Sequence, residues 1–196
     1  MTARWPADPS HIARAAERLR AGAVIAFPTD TLYGVGARAA DTAAVARLYQ
    51  VKRRPAGQPM VLLVRDRYQA ERFAVVSAAS ADLMARFWPG PLTLVLPARV
   101  QSEGSTIAVR APNHDVALAL LTSLGEPMAS SSANPAGESP PVDADQVIAA
   151  LGGELDLVLD AGPCAIGQPS TILDLSGATP RILRQGAIPA SELISP

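Results

Sequence analysis

The sequence has one cysteine, one lysine and two histidines, and its aromatic content is only 4%. Cys164 alone cannot close an internal disulfide, and His11 and His114 are too few to complete a Cys/His zinc set. Any metal is therefore expected on oxygen ligands, substrate phosphates among them. No apolar run approaches the roughly 20 residues of a membrane-spanning helix. The N-terminal MTARWPADPSH lacks the basic-then-apolar pattern of a signal peptide, so the expected compartment is the cytoplasm. With so few aromatics, no stacking set accompanies the arginines. That leaves room for a tRNA or RNA contact but gives no basis for sequence-specific readout.

What the chain does have is bulk and apolar content. Its 196 residues are 48% hydrophobic and 18% charged, enough for one core without disulfides or metal, and 1–196 is expected to form a single domain. Charge is unevenly spread: residues 1–110 hold 15 Lys+Arg against 8 Asp+Glu, whereas residues 111–196 hold 2 against 10. Either the two halves neutralise each other within one fold, or the first supplies a cationic cavity for a polyanion.

Hydrophobic spacing predicts alternating elements. Ile12, Ala15, Ala16 and Leu19 mark a helix that starts at a capping Ser10 and stops at Gly22, and Ala23 to Phe27 reads as a buried strand. Asp41 or Thr42 caps a second helix, and Met60 to Val64 is another apolar strand. A helix through Leu83, Met84 and Phe87 ends at the WPGP turn, Trp88 to Pro91. Leu92 to Pro97 and Ser105 to Arg110 are neighbouring strands with no helix between them. Further on come a helix over Val116 to Leu124, a strand over Pro127 to Ser131, and a helix capped by Asp143. Short strands in DLVLD, TILDL and RILR complete an α/β, α+β-like pattern with a mixed sheet.

Four segments hold chemistry-bearing residues. PTDTLYGVG, Pro28 to Gly36, follows a buried strand and sets hydroxyls and amides at a strand end, although the same residues also make ordinary turns. Its Gly34, Gly36 and Ala39 fit G-x-G-x-x-A, but too far beyond the strand for a dinucleotide fingerprint. KRRPAGQPM, Lys52 to Met60, sets three cations at a helix end. The dipole alone would favour them there, but Arg54 before Pro55 is also pushed out of helical conformation, which can aim it at phosphate. GSTIAVRAPNH, Gly104 to His114, presents Arg110 at a strand end, suited to gripping a carboxylate. SSSANPAGESPP, Ser130 to Pro141, is either a surface loop or a set of hydroxyls and amides for phosphate. No histidine or cysteine lies beside its serines to activate a nucleophile.

Taken in order, PTDTLYGVG, KRRP, RFWPGPLTLVLP, AVRAPNH, SSANPAGESP, PSTILD and ILRQGAI resemble the successive signatures of the YrdC family of L-threonylcarbamoyladenylate synthases, from about Val24 to Ile188. One such string is weak; seven in order are specific. The resemblance implies the short, single-domain form of that family, a twisted mixed β-sheet with flanking helices around a large positively lined cavity. The implied reaction joins L-threonine, bicarbonate and ATP into threonylcarbamoyl-AMP and pyrophosphate, with Mg2+ carried by the ATP phosphates. Downstream tRNA threonylcarbamoyl-transfer proteins would use the product to make N6-threonylcarbamoyladenosine.

Carried over by motif, Thr31, Arg110 and Ser170 would hold threonine, with Arg110 on its carboxylate. Arg54, Gln58, Thr106, Ser132, Ser139 and Arg184 would contact ATP. Lys52 would be a further phosphate cation, so that Lys52 and Arg54 are the catalytic pair, and Asn134 would shape the serine loop. The chain departs from the family at Gln58, where asparagine is common, and at Leu63, where some members have a histidine that can hydrogen-bond and leucine cannot. The competing expectations are a relative that acts as an RNA- or ribosome-binding protein and, more distantly, a dinucleotide-binding oxidoreductase.

Overall fold

The computed structural model describes residues 2–55, 58–99 and 105–194, so Ala56 and Gly57 of the KRRPAGQPM run and Gly104 of the GSTIAVRAPNH run lie outside it. The first helix, α1 (Pro9–Arg20), buries Ile12, Ala15, Ala16 and Leu19, the face the spacing predicts. Its start corrects the sequence reading. Asp8, not Ser10, is the N-cap: its carboxylate accepts from the His11 amide at 3.0 Å, and Pro9 fills the first helical position, where no N–H is needed. Hydrogen bonds from His11 and Ser10 hold that carboxyl well below the usual range.

Before α1 stands β1 (Ala3–Pro6), and after it β2 (Ile25–Phe27) and β3 (Gly34–Arg38). Next come α2 (Thr42–Val51), capped by Asp41, then β4 (Val61–Leu63), the single turn α3 (Arg67–Ala70) and α4 (Ala78–Phe87). The remaining elements are β5 (Leu92–Pro97), β6 (Thr106–Arg110), α5 (Asp115–Leu124), β7 (Met128–Ser132), α6 (Ala144–Leu151), β8 (Leu157–Asp160), β9 (Thr171–Asp174), β10 (Arg181–Arg184) and α7 (Ala190–Leu193).

The strands form one mixed sheet in the order β1-β8-β2-β3-β7-β4-β6-β5-β9-β10. β8 runs parallel to both its neighbours, β3 is antiparallel to β2 and β7, and the predicted neighbours β5 and β6 pair antiparallel. Because β2 returns directly into antiparallel β3, there is no βαβ unit around Gly34 and Gly36, which excludes the dinucleotide fingerprint. Those glycines serve packing instead: a Cβ on Gly36 would meet the Ala129 carbonyl oxygen at 3.0 Å and the Phe27 ring at 3.2 Å.

The apolar runs are continuous because the central strands are covered on both faces. Ile25, Phe27, Leu157 and Leu159 face one core with α1 and α5, while Ala26 and Val158 face a second with α2 and α6. A third core joins α4 to β5, β6 and β9. Among the described residues no helix is long and apolar enough to cross a membrane.

Candidate active site

The six residues between β2 and β3 form a buried loop held by its own hydroxyls. Thr29 Oγ1 donates to the Leu32 carbonyl at 2.6 Å and accepts from the Thr31 and Leu32 amides at 3.2 and 3.3 Å. The Tyr33 hydroxyl, pushed up to about 12 chiefly by burial, donates to the Gly162 carbonyl at 2.9 Å and anchors the loop to the segment after β8. A loop so fully bonded presents Thr31 in one orientation.

Arg110 ends β6 beside it. Its Nε donates to the Gly90 carbonyl at 3.0 Å, one terminal nitrogen to Thr31 Oγ1 at 2.9 Å and the other to Asp30 Oδ1 at 2.5 Å. A guanidinium has five N–H donors and three are engaged here, so one hydrogen on each terminal nitrogen stays free for a further acceptor. Burial pulls the Arg110 basicity down; Asp30 counters this and Arg184 adds to it.

Across from this lies a second cluster. Thr93, the polar residue inside the apolar strand β5, shares a 2.8 Å hydrogen bond with Ser170, just before β9. Arg184 on β10 donates to the Ser170 carbonyl at 2.8 Å and to its hydroxyl at 3.0 Å. Although the residue as a whole is exposed, its guanidinium is partly buried, which lowers its basicity.

Both clusters face one cleft of about 290 Å³. Thr31, Arg110, Ser170, Ser132, Asn134 and Arg184, six of the sequence-derived site residues, line it together. Thr29, Thr93, Ser130, Ser131 and Glu138 also line it and were not singled out, while Val61 and Leu63 give it an apolar wall. Thr29, Ser130, Ser131 and Glu138 fall within two of the flagged segments, and for Thr93 the available signal was a polar residue between Leu92 and Leu94 in β5. The cleft is lined by two arginines and by Glu138, and at about 290 Å³ it does not show the large cavity that the resemblance implies.

The other five candidates stand outside that lining. Gln58, Thr106 and Ser139 are exposed, and Arg54 donates to the Pro59 carbonyl at 3.0 Å beside α2. Lys52 departs furthest from expectation. It is 1% exposed, and its ammonium donates to the Ser132 and Asn134 carbonyls, each at 2.5 Å. Burial, with Arg54 nearby, lowers its pKa to about 8. In this arrangement Lys52 shapes the serine loop rather than pointing into the cleft. Asn134 completes that loop by donating from Nδ2 to the Pro135 and Glu138 carbonyls, both at 2.8 Å.

The KRRP run itself closes α2 as a Schellman motif. The Arg54 amide bonds back to the Tyr49 carbonyl at 3.0 Å and the Arg53 amide to Gln50 at 2.9 Å, with Arg53 in the left-handed region at φ 48°. That geometry turns Lys52 inward and Arg53 outward onto Glu154, at 3.1 Å.

Arginine and hydroxyl side chains thus converge on one cleft of a mixed α/β sheet, a set of groups suited to anionic oxygens. A family model named Sua5/YciO/YrdC and described as telomere recombination matches residues 17–186, and the chain belongs to that family. It is 41% identical over 194 residues to a threonylcarbamoyl-AMP synthase of Bacillus subtilis, covering 95% of this chain and 56% of the relative. A putative threonylcarbamoyl-AMP synthase of Mycobacterium tuberculosis is 42% identical over 193 residues, covering 93% of this chain and 88% of the relative. The structure of P. abyssi Sua5 complexed with L-threonine superposes with a TM-score of 0.88 at 39% identity, covering 98% of this chain and 58% of that one. This chain thus spans little more than half the length of the Bacillus and Pyrococcus relatives it matches.

Proposed function

We propose that this chain is an L-threonylcarbamoyladenylate synthase domain, acting in the cytoplasm on L-threonine, bicarbonate and ATP. The observation that carries the reading is the convergence of Thr31, Arg110, Ser170 and Arg184, far apart in sequence, through two hydrogen-bonded clusters onto one cleft. The names of the Bacillus and Mycobacterium relatives and the threonine complex of the Pyrococcus relative support it.

In this reading the two free N–H groups of Arg110 take the threonine carboxylate, and the Thr31 and Ser170 hydroxyls orient the rest of the amino acid. Carboxylation of the amine gives a carbamate whose oxygen attacks the α-phosphorus of ATP in line with departing pyrophosphate. That step calls for positioning and for cations on developing charge rather than for a protein nucleophile. Arg184 and the Ser132 hydroxyl are the cleft residues that would face the phosphates. A 290 Å³ cleft is small for a nucleotide, so ATP would project past its rim toward Arg54, Gln58, Thr106 and Ser139. Magnesium would be held by the triphosphate and water, with Glu138 the one cleft carboxylate among the described residues, and would supply charge neutralisation. The product would pass to tRNA-modifying partner proteins.

The test is pyrophosphate release from ATP. It should require both L-threonine and bicarbonate, and release that proceeds equally without threonine overturns the reading.

A further inference from the structure

Arg110 is held on three sides, and only one of its holders bears a charge. Gly90 offers a carbonyl and Thr31 a hydroxyl, whereas Asp30 offers a carboxylate at 2.5 Å, in an ion pair whose side chains are 8% and 6% exposed. The same oxygen, Asp30 Oδ1, accepts from the Asn113 amide at 3.2 Å. One atom therefore ties the β2–β3 loop to the segment after β6 and sets the plane of the guanidinium between them. Asp30 does not itself line the cleft. Its second oxygen, Oδ2, is buried with no partner among the described residues, an arrangement that fold stability alone would not select.

We propose that Asp30 is the positioning residue of the amino-acid site, fixing Arg110 so that its two free N–H groups present themselves as a carboxylate-sized fork. The proposal rests on the threonine-binding reading given above. Its physical basis is that a buried guanidinium stripped of its counter-charge has no fixed resting place. It would turn toward whichever carbonyl or carboxylate it can reach, and it lies beside a second cation, Arg184. Thr31 and Gly90 constrain two nitrogens, but neither supplies charge.

The test substitutes Asp30→Asn, which keeps the shape and the Oδ1 acceptor but removes the charge. KM for L-threonine should rise about tenfold or more, the scale of a charge-assisted hydrogen bond, while KM for ATP stays within about twofold. The preference for L-threonine over L-threoninol, which lacks the carboxylate, should shrink by a similar factor in calorimetric titrations. A residue that merely stabilised the fold would not move that preference. Asp30→Glu, which retains charge but displaces the oxygen, should show the same split and serves if D30N does not fold. An unchanged threonine KM, equal rises in both KM values, or an unaltered preference for threonine overturns the proposal. Wild-type protein without threonine-dependent pyrophosphate release would overturn the function itself. An active wild type with an indifferent D30N and D30E would overturn only the role of Asp30.

Discussion

Lys52 carries its charge into a place where backbone carbonyls, not carboxylates, receive it. A lysine whose pKa is lowered on folding binds fewer protons in the native state than in the unfolded chain between about 8 and 10.5. Its penalty is therefore complete below about pH 8 and is relieved as pH climbs to 10.5, by an amount on the order of 3 kcal/mol. The stability of wild type relative to K52M should rise across that window, measured by urea unfolding at each pH. Because Lys52 is the only lysine, its ammonium signal in a lysine-labelled NMR sample titrates without overlap, and a midpoint near 10.5 would contradict the buried geometry. At this scale the sequence was legible where a motif names a residue, as for Thr31, Arg110 and Ser170. It was opaque where the role lies in a distant partner. Asp30 meets Arg110 80 positions away, Thr93 meets Ser170 77 positions away, and Lys52 turns inward because of how its helix ends.

Secondary structure was readable wherever an apolar pattern stands clear, which covers α1, α2, α4, α5, α6, β2 and the strands from β4 to β10. β3 was missed because GVGAR has too little side chain to show a strand period; its glycines are there so that Phe27 and the β7 backbone can come close. Gly36→Ala should therefore cost about 1–3 kcal/mol, the range for overpacking a filled site, read as a lower urea midpoint with an unchanged slope. β1 was missed because ARWP ends in proline and lies at the sheet edge, where no ladder donor is needed.

For the molecule as a whole, the uneven charge of the two halves is largely settled by pairing. Arg4 meets Asp145 and Asp160, Arg38 meets Glu126, Arg47 meets Asp156 and Arg53 meets Glu154, each pair joining the basic half to the acidic one. Little of the surplus reaches the cleft. Binding of the proposed substrates should show as thermal stabilisation: ATP and L-threonine, each at about 100 times its Kd, add about 2.7 kcal/mol apiece and raise Tm by several degrees, while NAD adds nothing. A shift with NAD as large as that with ATP and L-threonine would count against the proposed site.

The strand order also governs when the site comes into being during translation. β3 and β4 share no partner until β7, residues 128–132, is inserted between them, and β1 joins β2 only through β8, residues 157–160. A nascent chain that has already presented Thr31, Lys52 and Arg110 therefore still has a split sheet and no cleft. The cleft is completed late, when Ser170 and Arg184 emerge to close its far wall, and a half-made chain has no geometry with which to perform the proposed reaction.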